Sequence, residues 1–302
     1  MSLSHLIVTP VVMPAVLGAF IVLVARHDLL LSRVLSIFGS AALLVVSVLL
    51  LTAVTASGPE MYALGDWPAP FGIVLVADRL AAMMLTLAAA LALVVQVYAA
   101  GSGWDARGQH FHALWQFQMM GICGAFLTGD AFNLFVFFEV LLIASYGLMI
   151  HAGGKARLKA GVQYIAYNLI GSTLFLFGLA TLYSVTGTLN IADLAVKLPT
   201  LPEGDAALIR VTAVMLMMVF AIKGALVPLH FWLPATYAQA PGPVSALFAV
   251  MTKIGAYAAI RYSTLVFPAS VPAIGTMLQD LMFWAAIATL VVGAAGVLGA
   301  VT

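Results

Sequence analysis

The sequence predicts an all-α polytopic membrane protein of about nine transmembrane helices, with its N-terminus outside. Two observations carry that reading. Of 302 residues, 64% are hydrophobic and only 8% charged, whereas an ordinary soluble domain carries about a quarter charged residues. The mean hydropathy is +1.14, and apolar stretches long enough to cross about 30 Å of hydrocarbon recur along the whole chain. The charge balance, 12 Lys+Arg against 11 Asp+Glu, leaves +1 and no basic stripe, which excludes a nucleic-acid binder. The single cysteine, Cys123, excludes a disulfide scaffold and a Cys-ligated zinc or iron–sulfur site.

The spans fall in order at residues 6–25, 30–54, 74–99, 112–127, 131–150, 161–185, 208–233, 244–267 and 281–301. None alternates polar and apolar residues, so no β-barrel is expected. The first carries Pro10 and Pro14 and is followed by no small-residue cleavage site, which marks a retained helix rather than a signal peptide. Asp78–Arg79, Asp130 and Arg261 sit where side chains reach the headgroups. Loops after the odd-numbered spans hold Arg26, Arg33, Arg107, Lys155, Arg157 and Lys159, while the opposite side has only Lys197 clear of the membrane. By the positive-inside rule this puts the N-terminus outside. The last span runs to Thr302 with no polar flank, the expectation for a fragment or half of a split protein.

Three charges lie deep in the predicted spans: Glu139, Lys223 and Lys253. Each costs at least about 2.5–3.5 kcal/mol at the bilayer centre, and such residues face a bundle interior, pair, or line a water path. A buried ion pair with the third residue neutral is one arrangement. A proton relay is the other, in which Glu139 holds Lys223 charged and its loss favours the neutral amine. One acid against two bases suits the relay better.

Five residues after Lys223 stands Pro228, then His230 and Pro234. Pro228 removes an amide donor and clashes with the carbonyl four residues back, so the helix is expected to break about one turn after Lys223. Irregular backbone at membrane depth is tolerated only inside protein or against water. His230 shares a face with Lys223 if the break is small; it fits a structural role and a relay role equally. Asn168, Ser172 and Thr173 suit hydrogen bonds between helices, and Ser245 and Thr252 suit those or a water wire. His110 and His112 form an H-x-H without further ligands nearby, so no metal site is expected. No zinc-protease, nucleophile-elbow or nucleotide-loop motif occurs. Neither paired intramembrane aspartates nor paired haem histidines are present.

Four stretches carry a resemblance. They are Asp130-Ala-Phe-Asn-Leu-Phe-Val-Phe-Phe-Glu139, Gly187-Thr-Leu-Asn190, Lys223 through Pro234, and Ala240 through Tyr257. Together they resemble the antiporter-like proteins shared by respiratory complex I and Mrp antiporters. The wording of Leu134 through Tyr146 and of Gly103-Trp-Asp-Ala-Arg107 is most similar to the D subunits of Mrp cation/proton antiporters. The resemblance implies about fourteen helices in two inverted five-helix repeats, of which this chain covers about three-fifths. It implies three N-terminal helices (1–111), a complete first repeat (112–267) and the start of a second (268–302). It also implies a proton pathway through Glu139, Lys223 and Lys253, with the helix break at Pro228.

The expected function is proton translocation through Glu139, Lys223, His230 and Lys253, within a multisubunit sodium/proton antiporter of the bacterial inner membrane. Its expected partners are other hydrophobic subunits, protons, monovalent cations and lipid. No cofactor, catalytic residue or metal ligand is expected. A sodium site needs several oxygen ligands, so one deep carboxylate predicts that sodium is handled at a partner or shared interface. The alternatives are a membrane-arm component of a complex I-type quinone oxidoreductase and a non-transporting remnant or assembly scaffold.

Overall fold

A computed structural model describes residues 3–299. The chain is helical, and it divides into two compact units. The first runs up to Ile165 and includes Thr236–Val250; the second comprises Ala166–Ala235 and the chain from Met251 onward.

The first unit opens with α1 (Leu3–Phe20), which continues through Pro10 and Pro14 and ends in a π-helical turn, Ile21–Ala25. Helix α2 (Leu29–Ser57) starts at Asp28, whose carboxylate caps the Leu31 amide at 3.0 Å. A hairpin then departs from the sequence expectation. Strand β1 (Glu60–Ala63) pairs antiparallel with β2 (Val74–Ala77), Glu60 opposite Ala77. The third span was expected from residue 74, yet Val74-Leu-Val-Ala is extended, and α3 (Arg79–Gly101) begins only after Asp78, which accepts from the Ala81 amide at 2.8 Å. The apolar run hides a boundary that the N-cap aspartate sets.

Helix α4 (Phe111–Leu127) is buried along nearly all its length and packs against α1, α2 and α3 and against α5 (Ala131–Met149). Its tightest approach is to α5. A Cβ on Gly121 would stand 2.6 Å from the Leu141 amide nitrogen, so backbone meets backbone there, as small residues permit in membrane bundles. The motif around Asp130 is a cap: its carboxylate accepts from the Asn133 amide at 2.7 Å, and the Asn133 side chain donates to Thr128 Oγ1 at 3.1 Å.

Helix α6 (Lys155–Thr186) carries the chain from the first unit into the second. The Gly187-Thr-Leu-Asn190 motif stops one helix and starts another. Gly187 takes φ 67° and donates to Tyr183 O, and Asn190 caps the amides of Ala192 and Asp193 at 3.1 Å, opening α7 (Ile191–Lys197). Beyond it lie α8 (Ala206–Gly224), α9 (Trp232–Gln239), α10 (Gly242–Arg261, with a π-helical turn Tyr262–Val266) and α11 (Met277–Leu298). Among the described residues, 8 helices are long and apolar enough to cross a membrane. The fourth predicted span is α4, whose 17 residues reach only about 25 Å at 1.5 Å per residue. The expected end of the last span, at residue 301, and Thr302 lie outside the described residues.

Candidate functional site: a buried lysine at an interrupted helix

Helix α8 stops at Gly224, directly after Lys223, rather than a turn later as the sequence suggested. The cause is Pro228, which has no amide to give and whose ring excludes the carbonyl of Gly224. The helix therefore closes early in a Schellman arrangement. Ala225 adopts φ 53°, Leu226 N donates to Ala221 O at 2.9 Å, and Ala225 N donates to Ile222 O at 3.2 Å. Ile222 O also accepts from the Trp232 indole N–H at 2.9 Å, and Val227 N donates to Thr289 Oγ1 of α11 at 3.0 Å. The interruption is thus hydrogen-bonded by its own surroundings, which backbone at membrane depth requires.

The break leaves Lys223 at a helix end, 4% exposed. Its ammonium lies against one face of α6, donating to Asn168 O at 3.4 Å, Asn168 Oδ1 at 3.4 Å and Ser172 Oγ at 3.3 Å. Asn168, Gly171 and Ser172 stand at i, i+3 and i+4, so one helical stripe presents all three. Gly171 makes room: a Cβ there would approach Lys223 Cε to 3.7 Å and Ile222 Cγ2 to 3.3 Å. Thr173 is not part of this face; it is exposed and bonds its own helix at Leu169 O.

The broken segment touches α10 through two glycines. A Cβ on Gly255 would fall 2.3 Å from Gly224 N and 2.7 Å from Lys223 C. Gly255 therefore seats the end of α8, a role that a lone glycine in an apolar run does not announce. Lys253 lies one half-turn before it on α10, with its side chain exposed and its ammonium 3.3 Å from Thr252 Oγ1. His230 sits in the turn between α8 and α9, stacked on Phe231 at 4.9 Å between centroids. Its Nδ1 is buried without a hydrogen-bond partner among the described residues. The helical spacing that would align His230 with Lys223 does not apply, because the helix ends between them. Glu139 lies half-buried on α5 in the first unit.

Sequence reading missed a second polar cluster, in the first unit. Asp105, in the loop before α4, receives Arg33 Nε at 2.6 Å and Arg33 Nη2 at 2.8 Å, and bonds His112 Nε2 at 2.9 Å. Burial alone raises the Asp105 pKa, but the bonds from Arg33 and His112 outweigh it and hold the carboxyl below the ordinary carboxylate value. Gln96 and Gln116 bond Ser36 in the same interior, and Ser40 Oγ donates to Gln96 Oε1 at 2.6 Å. The H-x-H thus divides: His112 belongs to this cluster and His110 is exposed. No metal-gathering group of His, Cys, Asp and Glu occurs among the described residues.

Apolar helices around a buried ammonium at a self-capped helix break define a multi-pass α-helical membrane protein with an ionisable interior. A family model described as NADH:quinone oxidoreductase/Mrp antiporter, TM, matches residues 128–301, and the chain belongs to that family. It is 42% identical over 301 residues to the D subunit of a probable K(+)/H(+) antiporter of Rhizobium meliloti, covering 98% of this chain and 56% of that protein. It is 44% identical over 267 residues to the D subunit of a Na(+)/H(+) antiporter of Alkalihalophilus pseudofirmus, covering 88% and 54%. Among solved structures, the Mrp complex from Dietzia sp. DQ12-45-1b contains a chain that superposes with a TM-score of 0.88 at 30% identity, over 99% of this chain and 55% of that one. The chain spans little more than half the length of these relatives.

Proposed function

We propose that this chain supplies part of a proton path in the D subunit of a multisubunit monovalent cation/proton antiporter of the bacterial inner membrane. The observation that carries this is Lys223: an ammonium placed by a programmed helix break against Asn168 and Ser172. Asn168 O, Asn168 Oδ1 and Ser172 Oγ each accept from it, so one face of α6 positions the amine. Glu139 is the expected entry-side partner, Lys253 the next site, and His230 a further exchangeable group with an uncommitted Nδ1. A proton crossing the membrane field exchanges about 2.3 kcal/mol per 100 mV, comparable to one to two pKa units at about 1.4 kcal/mol each. The field therefore has the magnitude to shift protons along such a series. The relatives' names as antiporter subunits support partner proteins in the same membrane and a transporter rather than an enzyme.

The test is cation-driven proton flux in everted vesicles that contain the assembled complex with the full-length protein. Glu139→Gln and Lys223→Ala are expected to abolish flux while the complex still assembles. Sodium affinity should persist in Glu139→Gln, because a single carboxylate is too few oxygens for a selective site. Undiminished flux in both variants would leave the scaffold reading standing. The complex I-type reading shares the same local chemistry. Co-purification with redox subunits bearing flavin or iron–sulfur clusters would favour it over the antiporter.

A further inference from the structure

We propose that the loop end of the first unit binds an anionic phospholipid, with the phosphate at Arg26 and His110 and an acyl chain in the groove beside α4. Two adjacent cavities carry the inference. One, of about 180 Å³, gathers Arg26, His27, Asp105, His110 and His112 beside apolar neighbours such as Ile21 and Phe111. The other, of about 500 Å³, is apolar, lined by Val22, Leu114, Phe117 and Ile150. Gly108, Gln109, His110 and Ala113 line both. A pocket that holds the Arg26 guanidinium beside an apolar groove has the shape of an amphiphile. A soluble anion would leave the groove unused, and a purely apolar ligand would leave Arg26 unused.

The Arg26 guanidinium favours an anion. Asp105 is the acid of the smaller cavity, and it is already engaged by Arg33 and His112. Arg26 uses its Nε on His27 Nε2 at 2.9 Å, which leaves its terminal nitrogens for a ligand. His110 is one of the four residues common to both cavities. It holds φ 61°, a left-handed conformation costly for any side chain but glycine, and its imidazole makes no capping bond. Arg26 follows directly on the π-helical turn that continues α1, a span end from which a side chain can reach headgroups, and basic pockets between membrane helices recognise anionic lipid headgroups.

The experiment uses the native complex containing the full-length chain, in phosphatidylcholine vesicles doped with phosphatidylglycerol bearing a photoactivatable group on its tail. Peptide mapping after irradiation reads the site. Labelling is expected at the segment containing Ile150, from phosphatidylglycerol and not from an equally tagged phosphatidylcholine, and undisturbed by excess inorganic phosphate. The double variant Arg26→Gln with His110→Asn should weaken labelling roughly tenfold, the loss expected for hydrogen bonds to a charged group. Ile150→Trp should block the groove and abolish labelling while Arg26 and His110 stay intact. Equal labelling by both lipids, competition by free phosphate, an undiminished double variant, or no labelling because a neighbouring protein of the complex covers the site would each overturn the proposal.

Discussion

At single residues, the structure is decided by where polar groups find partners in an apolar chain. Ala225 is an instance: it occupies the left-handed position that closes α8, at φ 53°. A side chain there costs roughly 1–2 kcal/mol. Ala225→Gly should therefore raise the thermal stability of the assembled complex by about 1 kcal/mol without reducing transport, read from unfolding midpoints in detergent. Asp105 gives a pH-dependent counterpart. Its folded pKa lies below its unfolded value because Arg33 and His112 outweigh its burial, so its contribution is complete above about pH 4. That contribution is lost as pH falls through the lower folded value. Arg33→Gln removes its strongest stabilising partner and should move the acid loss to higher pH. A melting series between neutral pH and about pH 3 checks this.

At the level of elements, glycines set how close helices come. Gly255 seats the end of α8, and a Cβ there would lie 2.3 Å from Gly224 N. Because the obstacle is backbone, no rotamer relieves it. Gly255→Ala is expected to destabilise by about 1–3 kcal/mol, the usual penalty of overpacking, and to impair proton flux by displacing the segment that bears Lys223. Gly121→Ala offers the comparison, since its clash at Leu141 N, 2.6 Å away, lies between α4 and α5. It should lower stability comparably, measured by the same melts. If Gly255→Ala melted normally and transported normally, the contact would have no part in placing the lysine.

Over the whole chain, the membrane class and most spans were legible because each span must hide its backbone in a helix and present apolar side chains. The interruption at Pro228 was legible for the same reason, since proline's missing amide is a local fact. Its position was off by most of a turn, because the helix closes early through the left-handed Ala225, and Trp232 and Thr289, on other elements, bond backbone groups beside that closure. The β-hairpin was illegible because Val74-Leu-Val-Ala reads equally as helix or strand in an apolar run. The stripe Asn168–Gly171–Ser172 showed as scattered polar residues, and only the fold aims it at Lys223. Arg33, Asp105 and His112 lie on three separate elements, so their union needed all three to meet. At this scale the reading also predicts that replacing Lys253 with Ala reduces flux in the assembled complex while leaving its protein composition intact.

Helix α4 has a bearing on how the chain enters the bilayer during synthesis. It is 17 residues long and carries His112, Gln116 and Gln118 in its buried surface. On its own it is at the short limit of what the insertion machinery accepts as a span, and its polar side chains lower that acceptance further. Gln116 finds its partner in Ser36 of α2, and Ser36 is shared with Gln96 of α3. These partners leave the ribosome first, so α4 is expected to remain at the exit site until α2 and α3 can receive it or α5 joins it as a hairpin. Order of synthesis and order of packing then coincide, with the oldest helices acting as the template for the one least able to insert alone.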